Sequence, residues 1–195
     1  MRLKRDQKGF TLVELAIVMV IIGLMIGAVL KGQAMIDDAK QKRFLNDLKG
    51  ISAAYFTYFD RYNAYPGDDP NGASRGWTGV AAGDADARIE GNYTTPAGES
   101  QEAWQALRYT GLLSGDPTAT GAASLPSHPY GDQFGLTNYN FGTGVGIRNC
   151  VFADNIPGNV AEITDIKFDD GIYNTGTVRG SAAYTSATVD LRYAL

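Results

Sequence analysis

Glu14 needs a chemical explanation before any other residue. It is the single charge in an apolar run, Phe10-Thr-Leu-Val-Glu-Leu-Ala-Ile-Val-Met-Val-Ile-Ile-Gly-Leu-Met-Ile-Gly-Ala-Val-Leu. A carboxylate costs about 2.5–3.5 kcal/mol at the centre of a membrane helix, and less near its end, so such a group calls for a cationic partner. Two further sets of acids have types and spacing suited to a hard cation. Asp84 and Asp86 alternate in Gly-Asp-Ala-Asp-Ala-Arg-Ile-Glu, which ends at Glu90, and Asp169 and Asp170 stand in Phe-Asp-Asp-Gly. Calcium takes six to eight oxygens, and closely spaced carboxylates supply several from one turn. The first set departs from the EF-hand pattern, with Arg88 at the third ligand position, no turn glycine and no distal Glu. The competing reading of both sets is solvated turn carboxylates, because Asp and Gly favour turns.

Enzymatic constellations do not assemble. The single histidine, His128, lies between Ser127 and Pro129 and reads as an exposed loop residue. One histidine and one distant cysteine make neither a zinc site nor a nucleophile with its base. Cys150 reads as a small buried hydrophobe, and a lone cysteine permits no intrachain disulfide. The string Gly142-Thr-Gly-Val-Gly lacks the strand-to-helix context of a phosphate loop.

The element that must position Glu14 is a helix. About 21 apolar residues span a bilayer at ~1.5 Å per residue. The preceding residues carry Arg2, Lys4, Arg5 and Lys8 against Asp6, a flank that stays cytoplasmic under the positive-inside rule. A secretory signal peptide shares this basic start, with Gly32-Gln-Ala as a passable cleavage site, but it has a shorter core and no use for Glu14. Cutting between Gly9 and Phe10 would create an α-amino group four residues before Glu14, on the same helical side. Among staggered parallel helices, the amine of one copy can instead meet the Glu14 of another. That pairing would set the register, because an unpaired charge in a low-dielectric bundle is costly.

Gly9-Phe-Thr-Leu-Val-Glu, after a short basic leader and before an unbroken apolar run, resembles the prepilin peptidase recognition sequence of type IV pilins and type II secretion pseudopilins. The resemblance implies cleavage after Gly9, N-methylation of Phe10 and an assembly role for Glu14. It also implies a homo-oligomeric helical filament in which this chain is a structural subunit. The implied partners are the prepilin peptidase, minor pilins or pseudopilins and an inner-membrane assembly platform. The implied location is the bacterial inner membrane before assembly and a periplasmic or extracellular fibre after it. The family's frequent proline is replaced here by Lys31, followed by Gly32, so any softening of the helix is expected at Gly23 and Gly27. Type IV pilins commonly carry a C-terminal disulfide, which one cysteine cannot make, and this leans the resemblance toward pseudopilins.

The helix is expected to continue past the membrane. No proline precedes Pro66, and Phe44, Leu48, Ile51, Tyr55, Tyr58 and Tyr62 recur at spacings of three and four. The predicted organisation is a leader (1–9), an assembly helix (10–30), an amphipathic half-helix (31–64) and a head (65–195). Pro66 to Pro70 stops the helix, and residues 71–98 read as a long loop. Residues 102–113 predict a short helix and 157–167 a second, with Val160, Ile163 and Ile166 as its apolar face. Residues 134–141, 147–152 and 188–193 read as strands. The fold class is therefore α+β, a long helix on a small antiparallel sheet with loop insertions, which is also what the resemblance implies. Net charge is −4 overall and about −7 without the leader, so a nucleic-acid partner is not expected. The rivals are a membrane-anchored or tip-located minor pilin acting as an adhesion module, and a secreted enzyme whose mature terminus lies near Met35.

Overall fold

The computed structural model describes residues 9–94 and 97–195. The basic leader up to residue 8 lies outside the described residues. The chain divides into two compact units, Met1–Lys40 and Gln41–Leu195.

Helix α1 runs Leu12–Tyr62. In the first unit its large apolar residues, from Leu12 to Ile36, are exposed on every side. By length and composition this stretch is able to cross a membrane. In the second unit α1 buries Phe44, Leu45, Leu48, Ile51, Ala54, Tyr55 and Tyr58, the stripe that the spacing predicts. Asn63 ends the helix in the left-handed region at φ 52, and its amide donates to the Phe59 carbonyl at 2.7 Å. This is the C-terminal cap that Gly or Asn makes at least cost.

The sheet has strands β1 (Phe134–Asn140), β2 (Ile147–Pro157), β3 (Val178–Gly180) and β4 (Thr188–Ala194), in the order β1-β2-β4-β3 and antiparallel throughout. Leu136 pairs with Val151, and Val151 with Tyr193, so Phe134, Leu136, Val151, Ala153 and Leu191 share one face. That face joins α1 and α2 (Glu99–Tyr109) in the main core, around Trp104 and Leu107. The other face carries a smaller cluster of Phe141, Cys150 and Phe152. Tyr93 stacks on Phe152 at 4.0 Å. It lies across Gly135, where a Cβ would come within 2.6 Å of its own.

Several expectations need correction. Helix α2 begins at Glu99 and ends at Tyr109, not 102–113. Gly111 at φ 71 turns the chain, and the amides of Leu112 and Leu113 close on the Leu107 carbonyl. Strand β2 runs on to Pro157 through a bulge between Ala153 and Ile156, with Asn155 at φ 52. Strand β3 has three residues, too few for alternation to register. Helix α3 (Gly158–Phe168) turns a different face inward: Val160, Ala161, Thr164 and Asp165 are buried, while Ile163 and Ile166 are 41% and 62% exposed. Gly158 explains the rotation. A Cβ there would come within 2.3 Å of the carbonyls of Tyr184 and Ser186, so the small side of α3 packs against that segment. The polar residues turned inward are satisfied. The Thr164 hydroxyl donates to the Val160 carbonyl at 2.7 Å, and the Tyr184 hydroxyl donates to Asp165 at 2.7 Å.

Candidate functional site

Gly9 and Phe10 precede α1 and are exposed, Phe10 by 86%. Thr11 is the N-cap. Its Oγ1 accepts from the Glu14 amide at 3.3 Å, while Glu14 Oε2 accepts from the Thr11 amide and hydroxyl, each at 2.8 Å. This is a reciprocal capping box, which satisfies free amides at a helix start. The carboxylate also lies at the positive end of the helix dipole. In this chain, uncut at Gly9, Glu14 is thus held by its own helix terminus. Thr11 is a partner for Glu14 besides any cation, and Thr-x-x-Glu before an apolar run is its sequence signature.

The first acidic set is organised around a residue that spacing did not reveal. Asp68 is buried, and its carboxylate oxygen lies within 4.8 Å of those of Asp84 and Asp86. The Ala85 amide donates to Asp68 Oδ1 at 2.6 Å and the Ala87 amide to Oδ2 at 2.7 Å. Both alanines are left-handed, at φ 61 and 69, so the Asp-Ala alternation wraps two backbone donors around one carboxylate. Asp84 Oδ1 accepts from the Asp86 amide, and Asp86 Oδ1 from the Arg88 amide. Burial raises the Asp68 pKa, against the opposing pull of the Ala87 and Ala85 amides. Glu90 is outside the cluster, and its amide donates to Glu99 Oε2 at 2.9 Å. The neighbouring Asp69 is also buried. It accepts from the Tyr58 hydroxyl at 2.8 Å, the Asn71 amide at 2.9 Å and Arg75 Nη2 at 2.7 Å.

The second set gains Asp165 from the inward face of α3, and its carboxylate oxygens converge with those of Asp169 and Asp170 within 4.8 Å. Asp169 Oδ2 accepts from the Thr177 and Val178 amides, Asp170 Oδ1 from the Ile172 amide, and Asp165 Oδ1 from the Gly171 amide. The chain closes this turn itself, with the Thr175 hydroxyl donating to Asp170 Oδ2 and the Tyr184 hydroxyl to Asp165 Oδ2 as well.

A third acidic group flanks the β2 bulge. Burial, then Asp190 and Asp132, push the Asp154 carboxyl up to about 6. Its Oδ1 is buried and takes no hydrogen bond among the described residues. A folded pKa above the unfolded value near 3.8 means that the folded state holds the proton more tightly. This group's stabilisation is complete below about pH 4 and is lost as pH rises through 6. Asp154→Asn should therefore stabilise the head at pH 7.5 by about 1–2 kcal/mol, after discounting for solvent screening, and by nothing at pH 4. Thermal melts at the two pH values check this.

His128 is buried, not exposed. Its ring packs edge-on to Phe44 and Phe134, with centroids at 5.9 and 5.3 Å, and Nδ1 accepts from the Tyr130 amide at 3.3 Å. Burial lowers its pKa. Cys150 is buried as expected. Its thiol donates to the Thr137 carbonyl at 3.3 Å, and burial raises its pKa.

Residues 4–30 match the family described as the prokaryotic N-terminal methylation motif. No curated protein and no solved structure matches the chain. The matched stretch ends at Leu30 and contains Gly9, Phe10, Thr11 and Glu14. The motif points to a structural protein that undergoes prepilin peptidase processing and filament assembly, and with the exposed apolar helix it fits an inner-membrane anchor. This motif, with a long N-terminal helix whose residues 41–62 pack on a four-stranded antiparallel sheet, supports a type IV pilin-like or pseudopilin protein.

Proposed function

We propose that the chain is a repeating structural subunit of a type IV pilus-like filament, of pseudopilin type. It inserts by residues 10–30, is cut between Gly9 and Phe10, and is N-methylated at Phe10. The new amine of one subunit then pairs with Glu14 of a neighbour and sets the axial stagger. One observation carries this reading: the only acid between Phe10 and Leu30, where the helix is apolar and exposed on every side, sits in its first turn, three residues from the cap. A surface apolar on every side needs lipid or other helices around it. The capping box gives Glu14 a resting partner while the subunit waits in the membrane. Assembly needs the box to yield part of its hold on Glu14 to the incoming amine, whose full positive charge makes the new contact an ion pair. Mass spectrometry of the mature N-terminus tests the processing step, with methylated Phe10 expected. A terminus near Met35 would mean a secreted protein instead.

A second proposal concerns calcium, at Asp165, Asp169 and Asp170. The observation favouring it is the convergence of three carboxylates from a helix face and a turn. Water and backbone carbonyls would complete the shell. If the site binds at about 1 mM, as weak extracellular modules do, 10 mM calcium should add about 1.4 kcal/mol, or roughly 3–6 °C in Tm. Chelator should reverse the shift in the full chain in detergent, and an unchanged melt ends this proposal.

A further inference from the structure

A groove of about 510 Å³ lies along α1 in the second unit. Ile51, Leu113, Leu125 and Phe134 line it with apolar surface, and Arg43 and Arg108 line it with charge. Arg43 pairs with Asp47 at 3.5 Å. Arg108 meets only carbonyl oxygens: Nε donates to Ser114 at 3.4 Å and Nη1 to Asp116 at 3.5 Å, with no carboxylate in ion-pair range among the described residues. The groove is thus net positive with an apolar floor.

The same molecule exposes a surface of the opposite kind. Ile163, Ile166 and Ile172 are 41%, 62% and 52% exposed around the end of α3. Glu162 and Asp170 flank them, against Lys167 and, beside the Phe168 ring, Lys49. With Asp165 and Asp169 behind, this face is net negative while no divalent cation occupies the turn. Clustered exposed isoleucines are unusual on a solvated helix and mark an interaction surface.

The two surfaces lie on opposite flanks of α1. The groove meets α1 at Arg43, Asn46, Asp47 and Gly50. The α3 end meets it at Lys49, whose ammonium lies 5.6 Å from the Phe168 ring. At 100° per residue, the first set lies about 100° to one side of the buried stripe and Lys49 more than 100° to the other. We propose that the groove receives the isoleucine face around the end of α3 from a second copy of this chain. This rests on the filament reading and names its head-to-head contact. Two copies of either surface would place like charges together, so the contact is heterologous, groove to face. A heterologous contact leaves one free groove and one free face at every step, and it propagates.

The test is a cysteine pair, Ser114→Cys at the exposed groove mouth and Ile172→Cys on the face, in the full chain in cells that make the filaments. The native Cys150 is buried and serves as the silent control. Mild oxidation should give a ladder of dimers, trimers and longer species in the double variant and none in either single variant. Arg108→Glu should reduce the ladder at least tenfold, and adding Asp170→Arg should restore it. The ladder is read in membranes and in sheared filaments. Normal filaments without a ladder, or a band that stops at dimer, overturn this contact and leave the filament reading standing. A ladder without filaments supports the contact and removes the filament reading, and the absence of both removes both.

Discussion

Glu14→Gln should abolish filaments while leaving Phe10 as the methylated N-terminus. Removing one partner of a buried ion pair leaves the other charge uncompensated, at a cost of about 3–5 kcal/mol. At 1.4 kcal/mol per factor of ten, each subunit addition would weaken by about two to three and a half orders of magnitude. The glutamine variant is the informative one because Gln at this position still completes a capping box with Thr11. If Glu14 serves only the helix start, Glu14→Gln assembles normally and Glu14→Ala fails. If its charge meets a neighbour's amine, both fail. Quantifying sheared filaments alongside the N-terminal mass separates the cases, and normal filaments in the glutamine variant would remove the ion pair from the mechanism.

Asp69→Ala should lower the stability of the head by about 3–5 kcal/mol and its Tm by roughly 10 °C. Asp69 is 2% exposed and draws together three elements: Tyr58 on α1, the turn amide of Asn71, and Arg75. The Arg75 guanidinium also lies over two aromatic rings, 4.1 Å from that of Tyr62 and 5.6 Å from that of Trp77. Without the carboxylate, a partly buried cation, a buried hydroxyl and a turn amide all lose their acceptor. Asp69→Asn keeps an acceptor but not the charge, and should fall between the wild type and Asp69→Ala. Thermal melts of the full chain in detergent, followed by near-ultraviolet circular dichroism, report the loss. A change below 1 kcal/mol would mean that this pair does not secure the end of α1.

The calcium reading and the charge cluster at the β2 bulge share one physical feature. Carboxylates crowd where the chain turns, and most of them are met by backbone amides. At Asp68 the amides of Ala85 and Ala87 donate to the two carboxylate oxygens, and two alanines accept left-handed backbone to provide them. At Asp154 no such donor reaches Oδ1, and the carboxyl's affinity for protons rises instead.

The features legible in the sequence are local and periodic. The apolar run from Phe10, the stripe from Phe44 to Tyr62 and the processing motif are each written in consecutive residues or in helical spacing. The strands at Phe134, Ile147 and Thr188 were legible from their residue types, because each covers a core with alternate side chains. Tertiary structure alone decided which residues meet across the chain. It brought Asp68 to Asp84 and Asp86, and Asp165 to Asp169 and Asp170. It also folded His128 against Phe44, some 80 residues away in sequence, and turned α3 so that its isoleucines face out. The physical reason is the same in each case. Hydrophobic periodicity reports which side of an element can be buried. What is buried depends on close approaches such as Gly158 to the Tyr184 carbonyl, and on whether an inward polar group finds a donor or acceptor on a distant segment.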